Sequence, residues 1–265
     1  MELKKVGIPV EGGELHAEIG GSGSPLVLLH AGGQSARMWD DQLELADERT
    51  IIRYDARSHG RSSTAMADFR LEDDLLAVLD HFGVEAATLL GNSMGGATAL
   101  TFALRHPHRV DRLALVGPGV PPVEFQDPFI LAEHREQAAA VEAMDLDRYL
   151  SSMLRMSVDG PRRRPEEVPG GVRERCREML ADTVAAHRTA TGAMLEADVR
   201  SRLPEISAPT LVVVGELEAA ELHRMGRMLA GGMPDVRLEV VPGAGHMLSM
   251  EKPAEFNRTL RDFLR

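Results

Sequence analysis

Cysteine, long apolar runs and positive charge are all in short supply in this sequence. Cys176 is the single cysteine among 265 residues, which excludes a disulfide framework and a cysteine-based metal cluster. The longest apolar runs, such as 26–29 and 211–214, are far shorter than the roughly 20 residues of a membrane-spanning helix. Thirty Lys and Arg face 41 Asp and Glu, giving a net charge of −11. That balance argues against a nucleic-acid-binding protein, because such proteins need a clustered basic surface.

The rest of the composition is that of an ordinary globular protein. Hydrophobic residues make up 43% and charged residues 27%, and 265 residues suit one large domain, with or without an insertion. No apolar run follows residues 1–5, so we expect no secretory signal and a cytoplasmic location. Fourteen methionines beside only 4% aromatic residues indicate an adaptable apolar interior or pocket.

Strand and helix patterns alternate along most of the chain. Residues 6–10 and 15–19 alternate around a glycine-containing turn, which predicts a β-hairpin. Continuous apolar runs, typical of strands buried on both faces of a parallel sheet, follow at 25–29, 51–54, 87–90, 113–116, 211–214 and 238–241. Helical patterns lie at 36–46, 71–82, 95–106, 219–230 and 250–264. This order predicts an α/β fold with a mostly parallel, doubly wound sheet behind an antiparallel N-terminal hairpin.

One long segment breaks this alternation. Residues 119–203 contain no strand pattern, only helical patterns at 129–144, 147–156 and 172–200. We expect a core formed by 1–118 and 204–265, with 119–203 as a helical cap over the carboxyl edge of the sheet. Ligands of open α/β sheets bind beyond that edge, so a cap there would cover a pocket. The alternative is an insertion that only decorates the surface.

A candidate nucleophile lies between a predicted strand and a predicted helix. Residues 91–96 (GNSMGG) contain the G-x-S-x-G pattern, which holds a serine on a sharp turn at the carboxyl end of a strand. The glycines are needed because the helix packs close to the strand. The pattern alone is weak, but its strand–turn–helix context agrees. We therefore predict that Ser93 is a nucleophile rather than an incidental turn residue.

A serine nucleophile requires a histidine base within hydrogen-bond reach. Of the ten histidines, His246 follows the last predicted strand and precedes the last helix, which places it at the same sheet edge as Ser93. His30 ends a strand, and we expect it to brace its own loop. His134 and His187 lie in the predicted cap, where contact with a substrate is an alternative to a surface role.

The histidine in turn requires an acid that fixes its tautomer. Glu218 lies four residues after the predicted strand 211–214, which gives the chain order Ser93, Glu218, His246. Glu216 and Glu221 are close competitors, and Glu124 follows a neighbouring strand. A solvated surface charge is the alternative for any one of them. We predict that Glu218 is the acid.

An oxyanion hole needs two aimed donors, usually backbone N–H groups. We expect one from Met94, directly after the serine, and the other from Gly32 in the loop after the first central strand. The sequence contains no HExxH, P-loop or dinucleotide-binding glycine motif, so we expect neither a metal nor a nucleotide cofactor.

With these residues in place, the whole chain resembles the α/β-hydrolase superfamily. The stretches 91–100 (GNSMGGATAL), 117–119 (GPG), 255–258 (EFNR) and 262–264 (DFL) are similar to the meta-cleavage-product hydrolases, which cleave carbon–carbon bonds. These motifs are specific for the fold and only loosely specific for the substrate.

Other stretches resemble the 3-oxoadipate enol-lactonases. These are 30–33 (HAGG), 38–40 (MWD) and 53–62 (RYDARSHGRS). The chain departs from these groups in having Glu218 where they have Asp and Ser58 where they have Gly. Met247 also stands where carbon–carbon hydrolases carry Trp. The missing Trp and the different oxyanion loop favour ester or lactone hydrolysis.

The resemblance and its departures imply a serine hydrolase that cleaves a carboxylic ester or lactone through an acyl-enzyme. Carbon–carbon hydrolysis of a vinylogous diketone is the first alternative. A non-hydrolytic ligand-binding or cyclase-like protein with an altered triad is the second. The expected partner is a small apolar ester or lactone, with no nucleic acid and no membrane. For the oligomeric state, we consider a homodimer.

Overall fold

The first two strands form an antiparallel hairpin. The structure is a computed structural model that describes residues 3–265. Strand β1 (Lys4–Val10) pairs with β2 (Gly13–Gly21) in the register Val6 opposite Ala17. The turn between them contains Gly12 at φ 77°, a left-handed conformation that favours glycine. The predicted hairpin is confirmed.

Six further strands complete one eight-stranded sheet. They are β3 (Pro25–Leu29), β4 (Thr50–Tyr54), β5 (Ala87–Asn92), β6 (Val110–Val116), β7 (Thr210–Gly215) and β8 (Val236–Val241). The sheet order is β1-β2-β4-β3-β5-β6-β7-β8, and every pair from β4 to β8 is parallel. The predicted α/β architecture is therefore confirmed.

Helices cover both faces of this sheet. They are α1 (Leu71–His81), α2 (Met94–Arg105), α3 (Pro128–Glu142), α4 (Leu146–Leu154), α5 (Val172–His187), α6 (Ala220–Gly232), α7 (Leu248–Glu251) and α8 (Pro253–Leu264). Alternate residues of each central strand enter different cores: Val27 belongs to the core that includes residues of α1, α2 and α6, and Leu28 belongs to the core that includes residues of α8. Burial on both faces explains why these strands read as continuous apolar runs.

Three helix predictions need correction. Residues Ala36–Asp47 form successive 3₁₀ turns. The predicted helix 250–264 is split between α7 and α8, because Lys252 is non-helical (φ −134°, ψ 56°) and Pro253 starts a new helix. The predicted helix 172–200 ends at His187, because 191–195 instead hydrogen-bonds to the backbone of 65–69.

The segment between β6 and β7 is a helical insertion. It contains α3, α4, a π-helical turn (Arg155–Asp159) and α5, and residues 119–203 contain no strand beyond a single bridge between Phe69 and Met194. No helix in residues 3–265 combines the length and the apolar character needed to cross a bilayer.

Candidate active site

Ser93 occupies a strained turn between β5 and α2. Its backbone has φ 52° and ψ −109°, a conformation that is rare for a residue with a side chain. The turn is held from both sides: the Ser93 N–H donates to the carbonyl of Val116 (2.9 Å), and its carbonyl accepts from Ala97 (3.0 Å) and Gly119 (3.3 Å). The surrounding fold therefore fixes the serine at the carboxyl end of a central strand.

The glycines beside Ser93 allow a close approach of backbones. A Cβ atom on Gly91 would overlap the backbone of Gly95, and one on Gly95 would overlap the carbonyl group of Leu29. Because any side chain at these two positions would push α2 away from the sheet, the G-x-S-x-G spacing is a packing requirement of this turn.

Glu218 and His246 form a hydrogen-bonded pair at the same sheet edge. Nδ1 of His246 lies 2.9 Å and 3.0 Å from the two carboxylate oxygens of Glu218, so the ring donates from Nδ1 to the carboxylate. The His246 and Glu218 side chains are 12% and 3% exposed, respectively. With Nδ1 carrying the proton, the neutral ring has its lone pair on Nε2, which is the form a general base requires.

The competing glutamates have other partners. The carboxylate of Glu216 accepts the Gly243 N–H (2.7 Å). Glu221 accepts the two backbone N–H groups just before α3 and also pairs with Arg224. Glu124 is exposed and lies 3.4 Å from an arginine of the insertion. Of the four candidates, Glu218 is the one that contacts His246.

Gly117 lies against this pair and leaves it the space that a side chain would fill. It follows β6 with φ 45°, and a Cβ there would lie 2.6 Å from Oε1 of Glu218 and 2.9 Å from Nδ1 of His246. A side chain at this position would therefore displace the acid, the histidine or both. The sequence signal was a glycine directly after a central strand, but no role for it could be read without the partners.

The pKa of His246 lies above the usual histidine value. Burial lowers it, but the charge of Glu218, its hydrogen bond and the charge of Glu251 outweigh that effect and raise the pKa overall. The arrangement thus stabilises the imidazolium that forms when a base accepts a proton.

Ser93 and His246 line one cavity of about 180 Å³ between the sheet edge and the insertion. Besides Glu218 and His246, its lining residues are uncharged, and five of them are methionines: Met94, Met153, Met156, Met225 and Met247. Within residues 3–265, the Ser93 hydroxyl makes no hydrogen bond to His246. Such contacts often tighten only when substrate is bound.

A second cavity, of about 230 Å³, is also lined by Ser93. It shares Ser93, Met94, Gly119 and Phe125 with the first and extends along α2 past Thr98 and Thr101. Its charged lining residues are both acidic, Glu72 and Glu196. The serine therefore lies where two cavities meet. Neither cavity is lined by a lysine or an arginine.

Two backbone N–H groups beside Ser93 lack acceptors among the described residues. Met94 begins α2, where the first N–H groups of a helix have no partner within the helix. Gly32 lies against Met94, since a Cβ on Gly32 would be 3.8 Å from the Met94 sulfur, and the Gly32 N–H has no acceptor within the described part of the chain. Both residues line the first cavity.

The other histidines are placed away from this chemistry. Both ring nitrogens of His30 bond to backbone groups at 2.8 Å, which confirms that it braces its loop. His134 packs edge-on against Phe125, and His187 bonds to Thr64 (2.8 Å). Neither of the last two lines a cavity at Ser93.

Comparison with known families agrees with this geometry. Residues 24–253 match the family described as the alpha/beta hydrolase fold. The chain belongs to the α/β-hydrolase family. In this α/β-hydrolase, residues 3–265 contain no group of three or more His, Cys, Asp or Glu side chains arranged to hold a metal ion.

Relatives of this α/β-hydrolase are named as different kinds of hydrolase. The chain is 30% identical to the 2-hydroxy-6-oxo-6-phenylhexa-2,4-dienoate hydrolase of Comamonas testosteroni, over 95% of this chain and 91% of the relative. It is 28% identical to 3-oxoadipate enol-lactonase 2 of Acinetobacter baylyi, over 89% and 86%. The solved thermophilic esterase of Thermogutta terrifontis superposes with a TM-score of 0.76 at 26% identity, covering 100% and 98%. Both family resemblances seen in the sequence are confirmed.

Proposed function

We propose that this protein is a serine hydrolase that cleaves a carboxylic ester or lactone through an acyl-enzyme. The observation that carries the proposal is the hydrogen-bonded Glu218–His246 pair in a cavity that the strained Ser93 also lines. The similarity to an enol-lactonase and an esterase supports the same reaction class.

In the proposed first step, His246 Nε2 takes the hydroxyl proton of Ser93 while the serine oxygen attacks the substrate carbonyl. The oxyanion accepts hydrogen bonds from the N–H groups of Met94 and Gly32. The carbon–oxygen bond to the leaving group then breaks, and His246 gives its proton to the departing alkoxide. A water molecule attacks the acyl-enzyme, loses its proton to His246 and releases the acid, and Ser93 regains its proton.

Glu218 acts through His246 in this scheme. It holds the ring in the Nδ1–H tautomer and stabilises the imidazolium formed in both half-reactions. A glutamate at this position has one more methylene than the aspartate expected from the family resemblance. The short contacts to both carboxylate oxygens, 2.9 Å and 3.0 Å, support the view that the longer side chain still reaches the ring.

The proposed substrate is neutral and largely apolar. The first cavity is lined mainly by methionines and aliphatic side chains, and the charged lining of the second cavity is acidic. Residues 119–203 serve as the cap in this proposal, since Ile130, Met153 and Met156 of the insertion line the cavity opposite the sheet. We propose the matching core as 1–118 and 204–265.

Substitution of the nucleophile tests the proposal. Ser93→Ala should lower kcat for p-nitrophenyl esters by up to about 10⁶-fold, as triad removal does in comparable enzymes, while thermal unfolding stays cooperative. Turnover at the wild-type rate by the folded variant would rule out Ser93 as nucleophile.

Carbon–carbon bond hydrolysis is the second candidate, favoured by the 30% identity to the Comamonas enzyme. Met247 occupies the position where such enzymes carry Trp, and that departure favours the ester reaction. Assaying a vinylogous 1,5-diketone beside a neutral ester of similar size decides between them: a kcat/KM higher for the diketone would reverse the order. A folded protein that turns over neither and whose Ser93 resists a fluorophosphonate would instead be a non-hydrolytic binding protein.

A further inference from the structure

A buried ion pair connects the helical insertion to the loop that carries His246. The guanidinium of Arg163 contacts both carboxylate oxygens of Glu251, at 2.6 Å and 2.7 Å. The side chains are 4% and 0% exposed, respectively. Arg163 lies in the insertion and Glu251 at the end of α7, so the contact spans 88 residues of sequence.

Each partner of this pair also fixes nearby backbone. Arg163 donates to the carbonyls of Val158 (2.6 Å) and Asp159 (2.9 Å), at the end of the π-helical turn. On the other side, Glu251 accepts the N–H of Gly245 (3.1 Å), the residue directly before His246. The ion pair therefore hydrogen-bonds to backbone next to two parts of the first cavity lining: Met156, Ser157 and Gly160 of the insertion on one side, and His246 on the other.

Gly245 is matched to this arrangement. A Cβ on Gly245 would overlap the guanidinium of Arg163 and lie 3.1 Å from a carboxylate oxygen of Glu251. The histidine loop thus packs directly on the ion pair, with no room for a side chain between them.

The energetics of burial point to a role beyond stability. Removing two charges from water is costly, and replacing a buried ion pair with well-packed apolar residues is often neutral or stabilising. What an apolar pair cannot reproduce is the set of directed hydrogen bonds to Gly245, Val158 and Asp159. Position, rather than net stability, is what this pair adds.

We propose that Arg163 and Glu251 form a positioning pair that docks the His246 loop against the insertion and so sets the placement of the base relative to Ser93. The proposal rests on the function proposed above for His246. Neither Arg163 nor Glu251 lines a cavity at Ser93, so both act through the loop rather than by touching substrate.

Charged groups from three elements lie at or beside the His246 loop. Glu218 contacts its ring from the loop after β7, and Glu251 acts from α7 and raises the histidine pKa through its charge. Arg163 lies beside Gly245, the residue before His246, and its charge is paired with Glu251. Removing the carboxylate of Glu251 while keeping Arg163 should therefore lower the pKa of His246.

The test uses Glu251→Gln and the double variant Arg163→Met/Glu251→Leu in the full chain. We expect Glu251→Gln to lower the pKa of the His246 imidazole, followed by NMR titration, because the variant lacks the carboxylate charge that raises it. In the double variant, Gly245 loses its acceptor but the core stays filled, so Tm should stay near the wild-type value. Its kcat for a neutral p-nitrophenyl ester should still fall by about 10–100-fold, with KM changing by less than about threefold.

Arg57 and Asp74 provide a matched control. They form a buried bidentate pair of similar geometry (2.6 Å and 3.0 Å; side chains 7% and 4% exposed) that lines neither cavity at Ser93. Asp74→Asn and Arg57→Met/Asp74→Leu should leave the His246 pKa, kcat and KM at their wild-type values.

The outcomes separate this proposal from the proposed function. A double variant with wild-type Tm, kcat and His246 pKa would overturn the positioning role, as would equal effects from the control pair. Loss of hydrolysis in the wild type itself would overturn the function instead. The NMR titration would still report in that case whether Glu251 acts on His246.

Discussion

Replacing Glu218 with glutamine removes one charge from the site while keeping its shape. In the structure the carboxylate lies 2.9–3.0 Å from Nδ1 of His246 and is 3% exposed, so water screens the contact poorly. Two unit charges about 4 Å apart interact by about 4 kcal/mol at an effective dielectric constant of about 20. At about 1.36 kcal/mol for each tenfold change in rate, that energy corresponds to a loss of about 10³-fold in kcat.

The Glu218 charge affects the rate because it stabilises the charged form of His246, which exists only during the reaction. His246 is neutral before reaction and positive in the transition state, so the carboxylate stabilises the transition state more than the ground state. The loss should therefore appear in kcat, within a range of about 10²–10⁴; the comparable Asp-to-Asn change in a serine protease triad lowers kcat by about 10⁴. A glutamine amide can also face the ring with its NH₂ group and select the wrong tautomer, which adds to the loss.

The assay is ester turnover at pH 8 with thermal unfolding of the same samples. Glu216→Gln and Glu124→Gln serve as controls, because these carboxylates bond to Gly243 and face an arginine of the insertion, respectively. Each control should stay within about tenfold of wild type, or about 1.4 kcal/mol in the barrier. If Glu124→Gln or Glu216→Gln is the crippled variant while Glu218→Gln keeps its activity, the assignment of the acid is refuted.

Three more outcomes are expected. Gly117→Ala should lower kcat at least about tenfold, because the added Cβ would overlap the Glu218–His246 pair. The control is Gly83→Ala, at φ 64° with open space around it, which should lower the free energy of unfolding by only roughly 1 kcal/mol of backbone strain. Equal activity losses in the two variants would contradict this expectation. The pKa of His246 is raised, and only the neutral imidazole accepts a proton, so kcat/KM should fall as the pH falls through a value above about 6.5. An acidic limb of the pH–rate profile centred below about 6.5 would show that the pKa of His246 is not raised. In a panel of acyl chains from acetyl to dodecanoyl plus lactones, medium-length neutral esters should have the highest kcat/KM, and a preference for anionic substrates would contradict the cavity linings.

The sequence was most informative where local rules decide the structure. The strand–turn–helix around Ser93 depends on glycines within four residues of the serine, so its pattern can be read directly. The central strands were visible because burial on both faces leaves a continuous apolar run. Chain order alone placed Glu218 and His246 at one sheet edge, after β7 and β8, and the structure brings them into contact.

Features that depend on distant partners were not readable. The Arg163–Glu251 contact joins a charged loop to a helix 88 residues away, and single-sequence patterns carry no signal for such pairing. The end of α5 at His187 depends on hydrogen bonds between 191–195 and 65–69, which override a helical pattern that continues to residue 200. The abundance of methionine also does not tell where each one lies: Met144 is 91% exposed, whereas Met153 lines the first cavity.

The most direct test of the central claim is covalent labelling of Ser93. A fluorophosphonate forms a stable adduct only with a serine that a neighbouring base activates. Mass spectrometry of the digested, labelled protein should show one adduct per chain, on the peptide that contains Ser93, and His246→Ala should abolish it. A folded wild-type protein that takes up no label, or carries it on another residue, would contradict the account.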